Sequence, residues 1–236
     1  MKQSIKAFCF AFCLLVSCGL IAQPEKRVLL YANSMSAKDS MSAWIMEGPG
    51  ALDYKDGWMQ MYSPKEKGHH VLWCPQDLPA DFMAEWEVKN LHPEAGLCIV
   101  FFAAKGIHGE DIFAPSLPKR KGKFKSYIKG KINNYHISYY ANGKNEPDRG
   151  TANLRKNTGF HLVQKGAAGI PSDTAIHWIQ LIKQGGHIFL SVDSRTVIDW
   201  QDNGTAWGAG KIGFRQMKWT RFAYRDLKIW ARVPKH

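Results

Sequence analysis

Acidic residues are scarce in this sequence: 20 Asp and Glu stand against 32 Lys and Arg, a formal charge of +12 over 236 residues. An excess of that size points away from cationic partners and toward an anionic one. Cysteine is scarce too. Cys9, Cys13 and Cys18 crowd near the N-terminus, which leaves only Cys74 and Cys98 for the rest of the chain. No Cys and His lie at zinc-site spacing, so a zinc centre of the local-motif kind is excluded. After the N-terminal stretch there is no apolar run long enough to cross a membrane as a helix. Internal repeats and low-complexity tracts are missing as well, and nothing marks a second domain.

What is present begins with the features of an export signal. Lys2 and Lys6 supply a positive start, and Ala7 to Val16 a short apolar middle. Two cleavage chemistries fit. Leu15-Val16-Ser17-Cys18 matches a lipobox, which would leave Cys18 lipidated and the protein tethered. The apolar run also continues through Gly19-Leu20-Ile21-Ala22 to an ordinary cleavage site at Ala22-Gln23. The expected organisation is therefore a signal over 1–22 and one folded domain over 23–236, in the periplasm or outside the cell. Any membrane contact would run through Cys18 alone. An oxidising compartment allows Cys74 and Cys98 to pair, while their apolar surroundings suit two buried free thiols equally. Export also turns the basic charge toward an acidic glycan and away from nucleic acid.

Beyond the signal, short apolar or alternating segments recur between Gly, Asn, Asp and Pro, the pattern of an all-β sandwich. Phe82 to Lys89 alternates, with Phe82, Ala84, Trp86 and Val88 on one face and Met83, Glu85, Glu87 and Lys89 on the other. Leu97 to Ala104 is apolar throughout, as in a strand covered on both faces. Trp178–Lys183, His187–Asp193 and Thr196–Trp200 read as three strands joined by tight turns. The stretch His108–Lys131 is polar and broken by Pro115 and Pro118, so it reads as a long surface loop, a kind of segment that is usually functional or disordered.

A family likeness enters with the C-terminal residues. Ile188-Phe189-Leu190-Ser191-Val192-Asp193, Gly210-Lys211-Ile212-Gly213-Phe214 and Tyr224-Arg225-Asp226-Leu227-Lys228-Ile229 resemble the closing strands of concanavalin-like jelly rolls. They are similar in particular to the 3-keto-disaccharide hydrolase group. Ile132-Asn133-Asn134-Tyr135-His136-Ile137-Ser138-Tyr139-Tyr140 and Ala152-Asn153-Leu154-Arg155-Lys156-Asn157 resemble the YesU-type family. That likeness covers nearly all of the chain after the signal. It implies a two-sheet antiparallel β-sandwich of the jelly-roll type and a setting in bacterial polysaccharide utilisation. The family has no settled reaction to transfer. Jelly rolls often carry a structural Ca²⁺, but no dense acidic loop here specifies one, and no other cofactor is expected.

Several constellations could carry chemistry. If Ile137 faces the core, strict alternation places His136, Ser138 and Tyr140 together on an open face. His136 and Tyr140 would then lie roughly 13 Å apart at Cα, able to flank one sugar ring. Jelly-roll polysaccharide lyases take a proton beside a uronate carboxyl with a His or Tyr and neutralise that carboxyl with Arg or Asn. On that pattern His136 is the candidate base, with Tyr140 or Tyr139 as acid. Asn153, Arg155 and Lys156, with Arg149 nearby, are the candidate carboxylate binders. The plain alternative is a half-exposed strand followed by a turn with solvated cations. Glu85 and Glu87 meet the spacing of about 5 Å or more that a glycosidase pair needs, but a solvent-facing pair fits them as well. Lys119, Arg120, Lys121, Lys123, Lys125, Lys129 and Lys131, interleaved with Phe124 and Tyr127, could hold an anionic glycan or form a solvated loop. Trp207 and Trp219 are loop tryptophans suited to sugar stacking. The expected function is a lyase or hydrolase acting on a uronate-containing glycan, and the alternative is a non-catalytic carbohydrate-binding protein of the same pathway.

Overall fold

The computed structural model describes residues 27–94, 96–142 and 149–232. The expected export signal, 1–22 with Cys18, lies outside them. The first strands are β1 (Arg27–Asn33), β2 (Ile45–Glu47), β3 (Ala51–Lys55), β4 (Trp58–Tyr62) and β5 (His70–Trp73). Then come β6 (Phe82–Asn90), β7 (Gly96–Gly106), a single α-helical turn α1 (Lys125–Ile128), β8 (Ile132–Asn142), β9 (Asn153–Asn157) and β10 (His161–Lys165). The chain closes with β11 (Ile176–Gln184), β12 (His187–Val192), β13 (Arg195–Gln201), β14 (Lys211–Gln216) and β15 (Phe222–Arg232).

These strands form two antiparallel sheets, the sandwich that the alternation predicts. One has eight strands, in the order β13-β12-β11-β6-β15-β4-β3 with β1 also pairing β15; the other has seven, in the order β10-β9-β8-β7-β14-β5-β2. The core lies between them. Phe82, Ala84, Trp86 and Val88 of β6 face Val100, Phe102, Ile212 and Phe214 of the second sheet, and all are buried. Trp86 meets the rings of Phe214 at 5.2 Å and Tyr139 at 6.1 Å, and Phe214 stacks in turn on Trp44. Such edge and stacked contacts add to the area each ring removes from water. β7 is covered on both faces, as its apolar run requires: Ile99 and Phe101 sit in a second hydrophobic cluster on the far side of the seven-stranded sheet.

Cys74 and Cys98 are both free and buried, which settles the two readings in favour of thiols. Cys98 Sγ lies 3.1 Å from the hydroxyls of Tyr139 and Tyr224, and burial pushes its pKa up to about 12. A thiol so far from ionising is a core packing group and not a nucleophile.

A polar tie fixes the start of β11. His177 Nδ1 lies 2.7 Å from Asp193 in the β12–β13 turn, and Nε2 lies 3.0 Å from Asp173. Burial alone would lower the imidazole pKa, but hydrogen bonds to the two carboxylates outweigh it and the net shift is upward. A group whose pKa is raised on folding contributes stability that is complete below its unfolded value and is lost as pH rises through the folded one. The stability difference between the wild type and His177→Gln in urea melts is therefore expected to be larger at a pH well below the unfolded value than at a pH well above it. A difference independent of pH would show that the ring is only hydrogen-bonded and never charged.

Candidate functional site on the seven-stranded sheet

Residues 107–131 fold back over the outer face of the seven-stranded sheet, because that face exposes apolar groups that need cover. Val71, Trp73, Ile99 and Phe101 of the sheet meet Ile112 and Tyr127 of this segment, with Phe113, Leu117 and Phe124 at the rim. One carboxylate holds the cover in place. Glu47 Oε2 accepts from Trp73 Nε1 at 3.0 Å, Arg120 Nε at 3.1 Å and the Tyr127 hydroxyl at 2.8 Å. Its other oxygen takes Arg120 Nη2 at 2.8 Å, in an ion pair with both side chains under a tenth exposed. Gly122 lets the cover come this close, since at its φ of +79° a Cβ would meet the His69 carbonyl oxygen at 1.9 Å.

Beyond the cover, a relay of amides fixes the proton on His136. Asn134 donates its Nδ2 to the Tyr127 carbonyl at 2.8 Å, so its Oδ1 must accept. Asn157 supplies that donor at 2.7 Å and spends its other amide hydrogen on His136 Nδ1 at 2.9 Å. A neutral His136 thus carries its proton on Nε2. The ring is 2% exposed and packed by Phe101, Phe124 and Phe160 at 5.4, 5.6 and 5.9 Å. Burial, helped by the nearby charges of Arg155 and Arg215, depresses its pKa to about 3.

Two guanidinium groups flank these rings. β9 pairs Arg155 with His136, and its Cζ lies 3.8 Å over the Phe160 ring while Nη1 donates to the Phe160 carbonyl at 2.9 Å. From β14, Arg215 places its Cζ 4.2 Å over Phe124 and is only 2% exposed. Arg149 donates to Ser138 Oγ at 2.8 Å and to the Ser138 carbonyl at 3.2 Å. Asn153 pairs with Ser138 across β8–β9.

The expectation that His136, Ser138 and Tyr140 share an open face is corrected. The register shifts by one between Ser138, opposite Ile99, and Tyr140, opposite Cys98, so Tyr139 is an extra residue in β8. Both tyrosines therefore turn into the core, where Tyr140 packs on Phe222 and donates its hydroxyl to the Pro93 carbonyl at 2.6 Å. Among the described residues no acid is bonded to His136, and His136 itself is covered. Lys156 also points elsewhere, ion-paired to Asp202 at 2.6 Å and bonded to the Thr205 carbonyl. Glu85 and Glu87 belong to the other sheet, where Glu85 takes Gln180 at 2.7 Å and Glu87 takes Arg225 at 2.6 Å. In the basic loop the lysines are exposed, but Arg120 and Tyr127 turn inward to Glu47 and do not meet solvent. Trp207 and Trp219 are half-buried, each under a lysine, at 5.0 Å for Lys156 and 5.3 Å for Lys218.

What remains together is Ser138, Asn153, Arg149, Arg155 and His136, joined by residues the sequence reading did not single out: Asn157, Glu47 and Arg215. For Arg215 a signal existed, a charge directly after the apolar Ile212-Gly213-Phe214. Among the described residues no three His, Cys, Asp or Glu side chains cluster so as to hold a metal ion. The arrangement can bind an anion and stack a ring; it holds no exposed acid–base pair.

Comparison with known proteins places this geometry. A family model described as a domain of unknown function, DUF1961, matches residues 28–229. The uncharacterized protein YesU of Bacillus subtilis (strain 168) is 37% identical over 209 residues, covering 85% of this chain and 94% of that one. A crystal structure of a Bacillus subtilis protein of unknown function with a galectin-like fold superposes with a TM-score of 0.83 at 35% identity, over 89% of this chain and 99% of that one. The lumenal domain of VIP36, solved with Ca²⁺ and Man3GlcNAc, shares the fold at a TM-score of 0.63 and 11% identity, over 89% and 92% of the two chains.

Two outcomes follow from the cover and the relay. Glu47→Gln leaves Arg120 buried without its counter-charge, a loss of about 3–5 kcal/mol in urea melts, and trypsin should then cut first within residues 107–131. Unchanged stability, or first cleavage elsewhere, would show that another contact holds the cover. His136 also takes up no proton in the folded state until its pKa near 3, while the unfolded chain takes one near the ordinary histidine value. Its contribution to stability is complete above that ordinary value and falls on acidification toward pH 3. His136→Gln should therefore flatten the acid limb of the stability profile, and an unchanged limb would place the lability in another group.

Proposed function

The chain belongs to the DUF1961 family, and from that premise we propose that it is a carbohydrate-binding protein, holding an acidic glycan on the outer face of the seven-stranded sheet without cutting it. The observation that carries this reading is the contact of 2.9 Å between Asn157 Nδ2 and His136 Nδ1. A base must offer a lone pair, and with Nδ1 taken by the amide a neutral ring carries its hydrogen on Nε2. With a pKa near 3, the ring is also a weak proton acceptor at neutral pH. The tyrosines that would have served as acid lie in the core.

Binding asks for less, and the face supplies it. Arg155 lies half-buried on Phe160, a cation beside a ring, which suits a sugar carrying a carboxylate. Asn153, Ser138 and Arg149 add polar groups on the same side. The formal charge of +12 favours an acidic ligand over a neutral one. The lectin-like fold neighbours support a carbohydrate, and the jelly roll alone accounts for the likeness of the closing strands to the 3-keto-disaccharide hydrolase group. On the same reading the chain acts outside the cytoplasm, released or anchored at Cys18, in the handling of polysaccharides.

Calorimetry against an oligogalacturonide tests the proposal. The wild type should bind it, and Arg155→Ala should bind about tenfold or more weakly. After prolonged incubation neither unsaturated products in the ultraviolet nor new reducing ends should appear. Either product would return the protein to the enzymes.

A further inference from the structure

Arg215 is the least satisfied charge on this face. It stands on β14, beside the central strand β7 of the seven-stranded sheet, with Ile99 and Val71 as its partners on the neighbouring strands. Neither can accept a side-chain hydrogen bond. The side chain is 2% exposed, yet its Nε and Nη1 have no hydrogen-bond partner. No carboxylate pairs with it among the ion pairs of the described residues. Glu47, two strands away, is saturated by Arg120, Tyr127 and Trp73.

Among the described residues no ion pair brings Arg215 a charge of the opposite sign. His69, His70 and His136 are each held toward their neutral form, by burial first and then by Arg215 among other causes. Arg155 lies over Phe160 as Arg215 lies over Phe124, and those two rings are 5.6 Å apart. A buried guanidinium with no acceptor is costly and calls for an explanation, of which a ligand that supplies the acceptor is one. The chemistry of the group narrows the ligand. Arg215 holds its Cζ 4.2 Å over the Phe124 ring, and its unpartnered Nε–H and Nη1 call for an anionic acceptor such as a carboxylate.

We propose that Arg215 is the anion anchor of the glycan site: the carboxylate of a uronic-acid residue seats on its unpaired Nε–H, with Arg155, which rests on Phe160, contacting the same sugar. This rests on the carbohydrate-binding reading and names the group within it that selects acid over neutral sugar. Phe124 sits on the rim of the cover, half-buried, and is the ring that an incoming sugar must pass.

The test compares an oligogalacturonide with the same oligomer after its carboxyls are reduced to alcohols. The wild type should bind the acid form at least about tenfold more tightly, and Arg215→Gln should weaken it by about 10- to 100-fold while leaving the reduced oligomer unchanged. A measurement on the wild type guards against a variant that fails to fold. The Arg215 Nε–H signal in a nitrogen–proton NMR spectrum, assigned through its own side-chain carbons, should move with the acid oligomer and stay still with the reduced one. If the acid oligomer binds but that signal does not move, or if both oligomers bind equally, the anchor is overturned and carbohydrate binding stands. If neither oligomer binds, the carbohydrate reading falls and the anchor with it.

Discussion

Four donors converge on the Glu47 carboxylate at the edge of the seven-stranded sheet: one from Trp73 in the sheet, one from Tyr127 and two from Arg120. Tyr127 and Arg120 belong to the cover, so this carboxylate joins the cover to the sheet. A buried pair of this kind adds little over an apolar substitute, but losing one partner strands the other in a medium that cannot solvate it. Glu47 therefore fixes geometry more than it adds stability. With Arg120 pinned, Tyr127 stands at a set height over Phe101 and Trp73, and its carbonyl becomes the acceptor that orients Asn134.

From that carbonyl the consequences run laterally across the sheet. Asn134 can present only its oxygen to Asn157, Asn157 only its hydrogens to His136, and His136 is left with its proton on Nε2. A side chain that looks catalytic in isolation is thereby held as a neutral, packed element of the wall. The same burial that suppresses the histidine isolates the guanidinium of Arg215, because Phe124 shields both. One aromatic ring thus separates a structural histidine from a cation without an acceptor.

Much of this fold was legible in the sequence, since period-two alternation in β6 and a doubly apolar β7 require two faces and two coverings. The site was less so. Strict alternation carried Tyr140 to the side of His136, and a single extra residue in β8 carried it back to the core. A bulge leaves no mark in the pattern, because both Tyr139 and Tyr140 suit burial. Glu47 was hidden for another reason: it ends a three-residue strand followed by Gly48-Pro49-Gly50, where turn chemistry masks the strand. The His108–Lys131 segment was recognised as a long loop with exposed lysines, but its inward residues, Arg120 and Tyr127, were not separable from the outward ones without helical or strand period to sort them.

The two outer faces of the sandwich show how differently a sheet can treat its charges. On the eight-stranded sheet, Glu87 meets Arg225, Glu85 meets Gln180, and both Lys89 and Arg225 lie over Trp58, at 4.6 and 4.3 Å. There one carboxylate, Glu87, has a counter-charge in Arg225, while Glu85 takes a neutral amide and Lys89 a ring. On the seven-stranded sheet the carboxylate is consumed by the cover, while Arg155 and Arg215 rest on rings that attract a cation but cannot take its proton-bearing edge as a carboxylate would. A cation–ring contact satisfies the flat side of a guanidinium and leaves its in-plane donors available. On the proposed reading, that division holds positive charge in the site without a counter-ion from the described residues, and an acidic ligand would bring one.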